Sequence, residues 1–388
     1  MIDNQSTLFN RNGWCFHNPV KVTLGRGCRQ QLVELLSGKN ILMVTTKRGR
    51  QQFCEDLILN QLQSICKIEW VDSVTENPGL TDLQIEIDSL KQNTQYQVAV
   101  AFGGGSSMDA AKAINVALAD VCRDYSLAEL LKNPDLHKNA KPKPLITVTT
   151  TSGTGSEVTP FATVWHHEEK KKLSLASPAV WPTAAFIDAA LTDTVPLQAT
   201  ISTGLDAINQ AAESIWNKNA NSITLAYAIR ALQLGFDALP KLALSDLDPL
   251  AREKMAEASL LAGLAISHTR TALCHSMSYP ITAHYGVSHG LACAFTMPAV
   301  LRHNLTAEDG RFAQLAMALN GDSDLEALVS RFDELHETML VKKRVMAKVP
   351  SLDELLRLAP EMFTPGRADN NLADVNDLVP ILKQSWGE

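Results

Sequence analysis

The first half of the chain alternates apolar runs of strand length with helical stretches, which limits the folds open to it. The apolar runs predict buried strands at 40–45, 97–102 and 144–149. Helices are predicted after two of them, at 53–65 and 108–119. Because parallel strands need a crossover connection, usually a helix, this order predicts a doubly wound parallel sheet. Residues 20–24 are predicted to add an antiparallel edge strand.

After about Pro196 the composition changes to long alanine- and leucine-rich stretches. Segments 222–239 and 250–267 carry apolar residues at helical spacing and few β-branched runs. We therefore predict an α/β domain at 1–195 and an all-helical domain at 196–388. No long flexible linker separates the two, so a shared cleft is expected to hold the ligands.

Composition excludes several classes of protein. A hydrophobic content of 45% with 20% charged residues is typical of a globular chain. The net charge of −7 gives no reason to expect nucleic acid as a partner, and no apolar run is long enough for a membrane helix. Seven scattered cysteines without a C-x-x-C pair and a polar start without a secretory signal favour reduced thiols and a cytoplasmic location.

Two segments rich in glycine and hydroxyl groups follow predicted strands. Residues 103–107, Gly-Gly-Gly-Ser-Ser, lead into a helix, whose N-terminus offers free N–H groups and a positive dipole end to a phosphate. An ordinary tight turn is the alternative, and the segment is not the G-x-G-x-x-G fingerprint. Residues 149–157 could line the other side of a pyrophosphate, or could form a turn in which Ser156 caps a helix.

A carboxylate and two imidazoles form the candidate metal site. Asp206 and Gln210 stand at i and i+4, on one face of a predicted helix, and His275 and His289 follow. Such residues can hold a divalent metal and leave a position open for a substrate oxygen. Asp206 alone could be an ordinary carboxylate near a helix start, and either histidine alone could be a satisfied structural residue. The metal interpretation therefore depends on the combination.

Four motifs in this order carry a family resemblance: Gly-Gly-Gly-Ser-x-x-Asp-x-x-Lys (103–112), Thr-Thr-x-Gly-Thr-Gly-Ser-Glu (150–157), Gly-x-Asp-Ala (204–207) and His-x13-His-Gly (275–290). Together they resemble the iron-containing (group III) alcohol dehydrogenases over nearly the whole chain. The resemblance implies a Rossmann-like N-terminal domain and an all-helical C-terminal domain, the architecture shared with dehydroquinate synthase. It also implies a nicotinamide cofactor and one divalent metal between the domains.

Carried over residue by residue, the resemblance assigns roles. Asp206, His275 and His289 would be metal ligands, and Gln210 stands where the family usually has its other histidine. The metal would act as a Lewis acid on the substrate oxygen while hydride passes to or from nicotinamide C4. The expected cofactor contacts are Thr46, Lys47, Asn77, Gly104, Gly105, Ser106, Asp109, Thr150, Thr151, Thr154 and Lys172.

Two departures from the family concern the metal and the cofactor. The neutral amide of Gln210 puts iron in doubt: as a weak ligand it would give a site that loads slowly or prefers zinc or manganese, so iron, zinc and manganese stay candidates, and loss of the metal is the alternative. Thr46 replaces the aspartate of NAD-preferring relatives, and Lys47 and Arg48 follow it. A basic turn without that carboxylate should admit a 2′-phosphate, so NADP is favoured over NAD; a solvated basic turn is the alternative.

A third departure concerns the substrate. Arg270 stands before His275, where the family has small neutral residues, and its guanidinium would suit a phosphonate, sulfonate or carboxylate. The alternative is an arginine paired with a protein carboxylate. Tyr279 replaces a family histidine four residues after His275. Tyr279 or His284 is predicted to relay the proton, and spacing does not choose between them.

The runs 205–214 and 275–282 are most similar to the phosphonoacetaldehyde reductase branch of the family. The predicted activity is NAD(P)H-dependent, metal-assisted reduction of a small anionic aldehyde, with phosphonoacetaldehyde as the first candidate. A homo-oligomer is expected, with a dimer favoured. The alternatives are a general short-chain alcohol dehydrogenase, a sulfoacetaldehyde reductase, a dehydroquinate-synthase-like lyase and a metal-free dinucleotide-binding protein.

Overall fold

The computed structural model describes residues 13–93, 95–245 and 247–388, which divide into two compact units. One unit is Asn18–Val195, and the other is Pro196–Glu388 together with residues 13–17. The sequence had placed residues 13–17 in the α/β domain. In the structure they pack with the helices: the N–H of His17 donates to Nε2 of His268 (2.8 Å), and the rings of Phe16 and His268 stack 4.0 Å apart.

The α/β unit consists of strands and helices joined in part by short 3₁₀ turns. Its strands are β1 (Lys21–Leu24), β2 (Asn40–Val44), β3 (Lys67–Val71), β4 (Val98–Gly103), β5 (Leu145–Thr149), β6 (Phe161–His166), β7 (Lys171–Ala176) and β8 (Ala184–Ile187). Its helices are α1 (Gln31–Leu36), α2 (Lys47–Glu55), α3 (Leu62–Ile65), α4 (Leu80–Asn93), α5 (Gly105–Ala117) and α6 (Leu127–Lys132).

Six strands form a parallel sheet in the order β1-β8-β5-β4-β2-β3, and β6 and β7 form an antiparallel hairpin. The three predicted strands are β2, β4 and β5 at its centre. The antiparallel orientation predicted for residues 20–24 is wrong, because β1 pairs parallel with β8, Lys21 opposite Ala184. The residues of a single strand do not reveal the direction of a partner that lies far along the chain.

The predicted helix at 53–65 has different bounds. Helix α2 begins at Lys47, where the Thr46 hydroxyl accepts the N–H of Gly49 (2.9 Å), and it ends at Glu55. The carboxylate of Asp56 then accepts the N–H groups of residues 58 and 59, at 3.0 and 2.9 Å. This side-chain cap offers the backbone an alternative to further helix, so a 3₁₀ turn and the short α3 follow.

Both faces of the sheet are covered, and the central strands are accordingly apolar along their whole length. Leu42 and Val44 contribute to the core under α4 and α5, whereas Ile41 and Met43 contribute to the core under α1 and α2. The chain runs from β2 outward to β3 and then back to β4 on the other side of β2. Such a reversal opens a crevice at the carboxyl edge, where doubly wound sheets bind their ligands.

A buried lysine fastens the hydroxyl-rich loop after β5 to helix α5. The ammonium of Lys112 donates to the carbonyls of Ser156 (2.6 Å), Thr159 (2.9 Å) and Phe161 (2.8 Å) and to two of their hydroxyls. Burial lowers the pKa of Lys112 to about 8 and raises that of the neighbouring Glu157 to about 7. The loop is therefore held by interior bonds rather than by surface contacts.

The second unit is built from helices, as predicted from its composition. They are α7 (Leu197–Ile215), α8 (Ser222–Leu244), α9 (Pro249–Thr269), α10 (Leu273–Tyr285), α11 (His289–Asn304), α12 (Arg311–Asn320), α13 (Leu325–Thr338), α14 (Val341–Met346), α15 (Leu352–Arg357) and α16 (Val379–Trp386). One apolar core joins α7 to its neighbours around Leu205, Ile208 and Trp216. In the described chain no helix has both the length and the apolar character needed to cross a membrane.

Candidate metal and substrate site

Helix α7 presents three polar side chains toward the site from one buried face. Asp206, Gln210 and Glu213 stand at i, i+4 and i+7, and each is at most 4% exposed. Burying polar groups in a helical core is costly unless they find partners. Their partners therefore indicate what this face is for.

Glu213 anchors the start of α10. Its carboxylate accepts the N–H groups of Ala272 (2.9 Å) and His275 (3.0 Å), and Nδ1 of His275 lies 2.6 Å from Oε2. With Nδ1 engaged, Nε2 of His275 is directed toward Asp206, 3.3 Å from Oδ1. A carboxylate behind a histidine in this way sets the tautomer and the ring orientation of a metal ligand.

His289 reaches the same place from the first turn of α11. The following residue, Gly290, lies against the backbone of α7, because a Cβ there would be 1.8 Å from the carbonyl oxygen of Ser202. This close approach brings Nε2 of His289 to 3.9 Å from Oδ1 of Asp206. The two imidazole rings meet edge to face, with centres 5.3 Å apart.

Cys293 joins this cluster one turn along α11. Its sulfur lies 3.8 Å from both ring nitrogens of His289, and ligand atoms of Asp206, His275, His289 and Cys293 are all within 4.8 Å of one another. Sequence analysis had treated Cys293 only as a reduced thiol. The available signal was its i+4 spacing from His289, which puts both side chains on one face of a helix.

The residues fit a divalent metal. Ligand atoms around a tetrahedral zinc ion are about 3.3 Å apart, close to the Asp206–His275 separation of 3.3 Å. Oε1 of Gln210 is buried and has no hydrogen-bond partner among the described residues, so it is an acceptor available to a cation. The predicted ligands Asp206, His275 and His289 are thus brought together. Ligation by these three residues and by Gln210 stays a prediction.

Negative groups dominate the electrostatics of the cluster. Burial of His275 disfavours its charged form, but the neighbouring Cys293 and Glu213 and the hydrogen bond with Asp206 hold its pKa well above the ordinary value. Burial also raises the pKa of Cys293, which the positive charge of His275 opposes. The surroundings therefore favour a positive charge at this position.

The structure separates the two candidates for the proton relay. The ring of Tyr279 stacks on that of His289, with centres 5.9 Å apart and planes inclined by 17°. His284 is nine residues beyond His275 on α10, about 14 Å along the helix axis, and its Nε2 pairs with Glu361 at 3.0 Å. Geometry places Tyr279 at the cluster and does not bring His284 to it.

Arg270 ends α9 in a conformation that L residues rarely adopt. Its φ of 59° and ψ of −178° lie in a region essentially restricted to glycine, at a cost of roughly 1–3 kcal/mol. Its carbonyl accepts from Asn217 (3.3 Å) and from the hydroxyl of Thr269 (2.9 Å). No carboxylate of the described residues lies within 4.0 Å of its guanidinium, so the predicted alternative of a protein ion pair finds no support there.

A second arginine contacts the residue that follows Arg270. Arg367, between α15 and α16, donates from one Nη1 to the hydroxyls of Tyr279 and Thr271, the latter at 3.0 Å. Its guanidinium carbon is 5.3 Å from the centre of the Tyr279 ring. Sequence reasoning missed Arg367, because nothing local marks a residue that is 88 positions from its partner.

In the α/β unit, the loops after β4 and β5 meet through several predicted cofactor residues. The hydroxyl of Ser106 accepts the N–H of Asn77 (3.2 Å), and the N–H of Thr150 donates to Gly103 (3.0 Å). A Cβ on Gly104 would lie 2.8 Å from Thr151, and one on Gly105 would lie 2.5 Å from Thr154. Only glycine allows this approach, which brings Asn77, Gly104, Gly105, Ser106, Thr150, Thr151 and Thr154 together at the start of α5.

The remaining predicted cofactor residues have different surroundings. Thr46 caps α2 after β2, and Lys47 is exposed. Asp109 is occupied inside the unit, since its carboxylate accepts from Ser156 (2.7 Å) and from the N–H of Thr163 (2.8 Å). The ammonium of Lys172 lies 6.0 Å from the Trp165 ring centre. Roles in cofactor binding for all four stay predictions.

Comparison with known proteins identifies the class to which this fold and site belong. The model for iron-containing alcohol dehydrogenase matches residues 19–189, and the model for the C-terminal part of the Fe-containing alcohol dehydrogenase family matches residues 200–377. The chain belongs to the iron-containing alcohol dehydrogenase family. It is therefore an enzyme of the alcohol dehydrogenase and aldehyde reductase class.

Three relatives differ in substrate. NAD-dependent methanol dehydrogenase of Bacillus methanolicus is 32% identical over 78% of this chain and 79% of its own length. Phosphonoacetaldehyde reductase of Streptomyces viridochromogenes is 37% identical over 60% of this chain and 59% of its own. The structure of sulfoacetaldehyde reductase from Bifidobacterium kashiwanohense in complex with NAD+ matches 96% of this chain and 98% of its own, with a TM-score of 0.83 and 29% identity.

If Cys293 is a ligand, Cys293→Ala should lower the affinity for zinc at least tenfold and the affinity for manganese less, because thiolate selects the softer metal. Competition with a chelator, followed by metal analysis, measures both affinities. Cys274→Ala is the matched control, since Cys274 is equally buried but is not among the clustered ligand atoms. Equal zinc affinity for both variants would exclude Cys293 from the site.

The strain at Arg270 predicts an unusual order of stabilities. Arg270→Gly should be more stable than Arg270→Ala by about 1 kcal/mol in urea unfolding, because only glycine relieves the positive φ. At Arg230, within α8 and exposed, the same pair should show the opposite order. An Ala variant at 270 as stable as the Gly variant would contradict the strain.

Proposed function

We propose that the enzyme reduces a small anionic aldehyde to its alcohol, with phosphonoacetaldehyde as the leading substrate, NADPH as the preferred hydride donor and Arg270 as the anchor of the anionic end. Hydride would pass from nicotinamide C4 to the carbonyl carbon and a proton to the carbonyl oxygen, giving the alcohol and oxidised cofactor. The observation that carries the proposal is Arg270 itself. It is a strained arginine five residues before His275, without a carboxylate partner among the described residues.

The helical unit would hold the metal and the substrate. Asp206, His275 and His289 would bind the ion, with Cys293 or Gln210 as the fourth ligand. When bound, the ion would supply Lewis acidity to the substrate oxygen. Glu213 would keep His275 in the ligating tautomer, and Tyr279, stacked on His289, would be the proton source.

The α/β unit would hold the dinucleotide. Gly104, Gly105 and Ser106 present the N-terminus of α5, which suits a pyrophosphate. Thr46 and Lys47 follow β2, one strand away, at the point where the strand order reverses. A neutral residue and a lysine there favour the additional phosphate of NADPH.

The main competitor is sulfoacetaldehyde, because a sulfonate offers the same three oxygens to a guanidinium. The solved sulfoacetaldehyde reductase, with its 96% coverage of this chain, supports this second candidate. A general short-chain alcohol dehydrogenase, as the methanol dehydrogenase relative suggests, would have no use for Arg270.

Turnover of a panel of aldehydes tests the proposal. Phosphonoacetaldehyde, sulfoacetaldehyde and propionaldehyde are compared by NADPH and NADH oxidation, after chelation and reloading with iron, zinc or manganese. Chelation should abolish turnover, and phosphonoacetaldehyde should have the highest kcat/KM. Arg270→Ala should raise its KM at least tenfold, since a charge-assisted hydrogen bond is lost. An unchanged KM would remove Arg270 from substrate binding.

Cofactor preference is tested at Thr46. Thr46→Asp should lower kcat/KM for NADPH at least tenfold, because a carboxylate repels the 2′-phosphate and can bind the ribose hydroxyls of NADH. Thr46→Asn is the neutral control of the same shape, and both residues preserve the cap of α2. Equal NADPH kinetics for the two variants would contradict the proposed site of 2′-phosphate binding.

A further inference from the structure

Arg270 and Arg367 are two cations in one small region of the helical unit. Nη1 of Arg367 donates to the hydroxyl of Thr271, the residue that follows Arg270 in the chain, at 3.0 Å. Partial desolvation lowers the pKa of Arg270, and the positive charge of Arg367 lowers it further. The hydrogen bonds of Arg367 go to the neutral hydroxyls of Thr271 and Tyr279. Asp369, a carboxylate close in sequence, instead accepts the N–H of Gly366 (2.9 Å).

Both guanidinium groups retain hydrogen-bonding capacity. A guanidinium has five N–H donors, and among the described residues Arg367 uses only those of Nη1. The Arg270 guanidinium donates to none of the described residues, and no described carboxylate forms an ion pair with either group. Two like charges held together without a protein anion repel each other, and an anionic ligand would remove that cost.

The segment that carries Arg367 is fastened to α10. The hydroxyl of Ser276 donates to the carbonyl of Met362 (2.6 Å) and accepts the N–H of Thr364 (2.8 Å). The amide of Asn370 donates to the carbonyl of Thr271 (3.1 Å). Arg367 is therefore fixed on both sides to the segment 271–276, which also carries the metal-ligand candidate His275.

Tyr279 links Arg367 to the candidate metal site. Arg367 contacts Tyr279, and Tyr279 stacks on His289. An aldehyde of two or three carbons has its carbonyl and its anionic group at opposite ends. The arrangement suits a small molecule with its carbonyl at the ligand cluster and its charged end at the two arginines.

We infer that Arg270 and Arg367 form a two-guanidinium subsite that selects a dianionic phosphonate over a monoanionic sulfonate. The inference rests on the proposed function and names its substrate class. A phosphonate can lose its second proton near neutral pH, and two guanidinium groups favour this dianion and neutralise it, whereas a sulfonate carries one charge and leaves one cation uncompensated. Both anions have three oxygens, so charge and not shape separates them.

Arg367 also donates a hydrogen bond to the hydroxyl of Tyr279, so binding of the anion must be distinguished from positioning of Tyr279. If Arg367 only positions Tyr279, its substitution would lower the turnover of all aldehydes alike, because proton donation by Tyr279 would be impaired. An arginine that binds the anion changes the ratio between ligands of different charge. The ratio is therefore the decisive readout.

The experiment measures binding of two product-like alcohols to the metal-loaded enzyme with NADPH, a combination in which no hydride transfer occurs. The ligands are 2-hydroxyethylphosphonate and 2-hydroxyethanesulfonate, and calorimetry gives both Kd values. The phosphonate should bind at least tenfold more tightly to the wild type. Arg270→Gln and Arg367→Gln should each reduce that ratio to about threefold or less, and Arg367→Lys should retain part of it.

Two controls accompany these variants. Arg357→Gln changes an exposed arginine that pairs with Glu354 on α15, and should leave the ratio unchanged. Tyr279→Phe removes the hydroxyl that Arg367 holds, and should lower turnover while the Kd ratio persists. A wild-type ratio near one, or a ratio in Arg367→Gln equal to that of the wild type, would overturn the two-arginine subsite.

Turnover separates this outcome from failure of the proposed function. If phosphonoacetaldehyde is reduced but the Kd ratio does not depend on Arg367, the proposed function stands and the subsite is wrong. If no anionic aldehyde is reduced while the Kd ratio depends on both arginines, the subsite stands and the proposed reaction is wrong.

Discussion

The candidate site depends on the hydrogen bonds between the carboxylate of Glu213 and the start of α10. One buried carboxylate binds two backbone N–H groups and the ring of His275, at 2.9, 3.0 and 2.6 Å. It therefore sets the path of the chain between Arg270 and His275 and the direction in which the imidazole faces. Without these hydrogen bonds, neither His275 nor the segment that begins at Arg270 would be held in position against α7.

The site concentrates features that cost stability. Asp206, Gln210 and Glu213 are buried on one helix, and Arg270 has a backbone conformation suited to glycine. The helical core around Leu205, Ile208 and Trp216 supplies the packing that holds them in place. Buried polar side chains and strained backbone that are fixed by tight packing are typical of ligand-binding sites. The site then needs little rearrangement when the ligand binds.

Much of the fold follows from the order of local patterns. The central strands β2, β4 and β5 are apolar throughout because both sides of the sheet are covered, and such runs are readable in one sequence. The direction of β1 could not be predicted from the sequence, because its partner strand β8 lies about 160 residues away. Helix α2 was misplaced because the capping by Thr46 and Asp56 outweighs the apolar spacing of the residues after it.

By itself the sequence determined the kinds of groups available: a glycine-rich loop before a helix, a carboxylate with two histidines, and an arginine near the first of them. Spacing along one helix also relates Asp206 to Gln210, because a period of 3.6 residues fixes which positions share a face. Only the tertiary structure decided which groups meet. Glu213 meets His275, Cys293 meets Asp206 and Arg367 meets Tyr279 through contacts between segments far apart in the chain. Tyr279 is placed at the site, whereas His284 is not. Such contacts depend on how whole helices and the segments between them pack, which no local pattern of residues encodes.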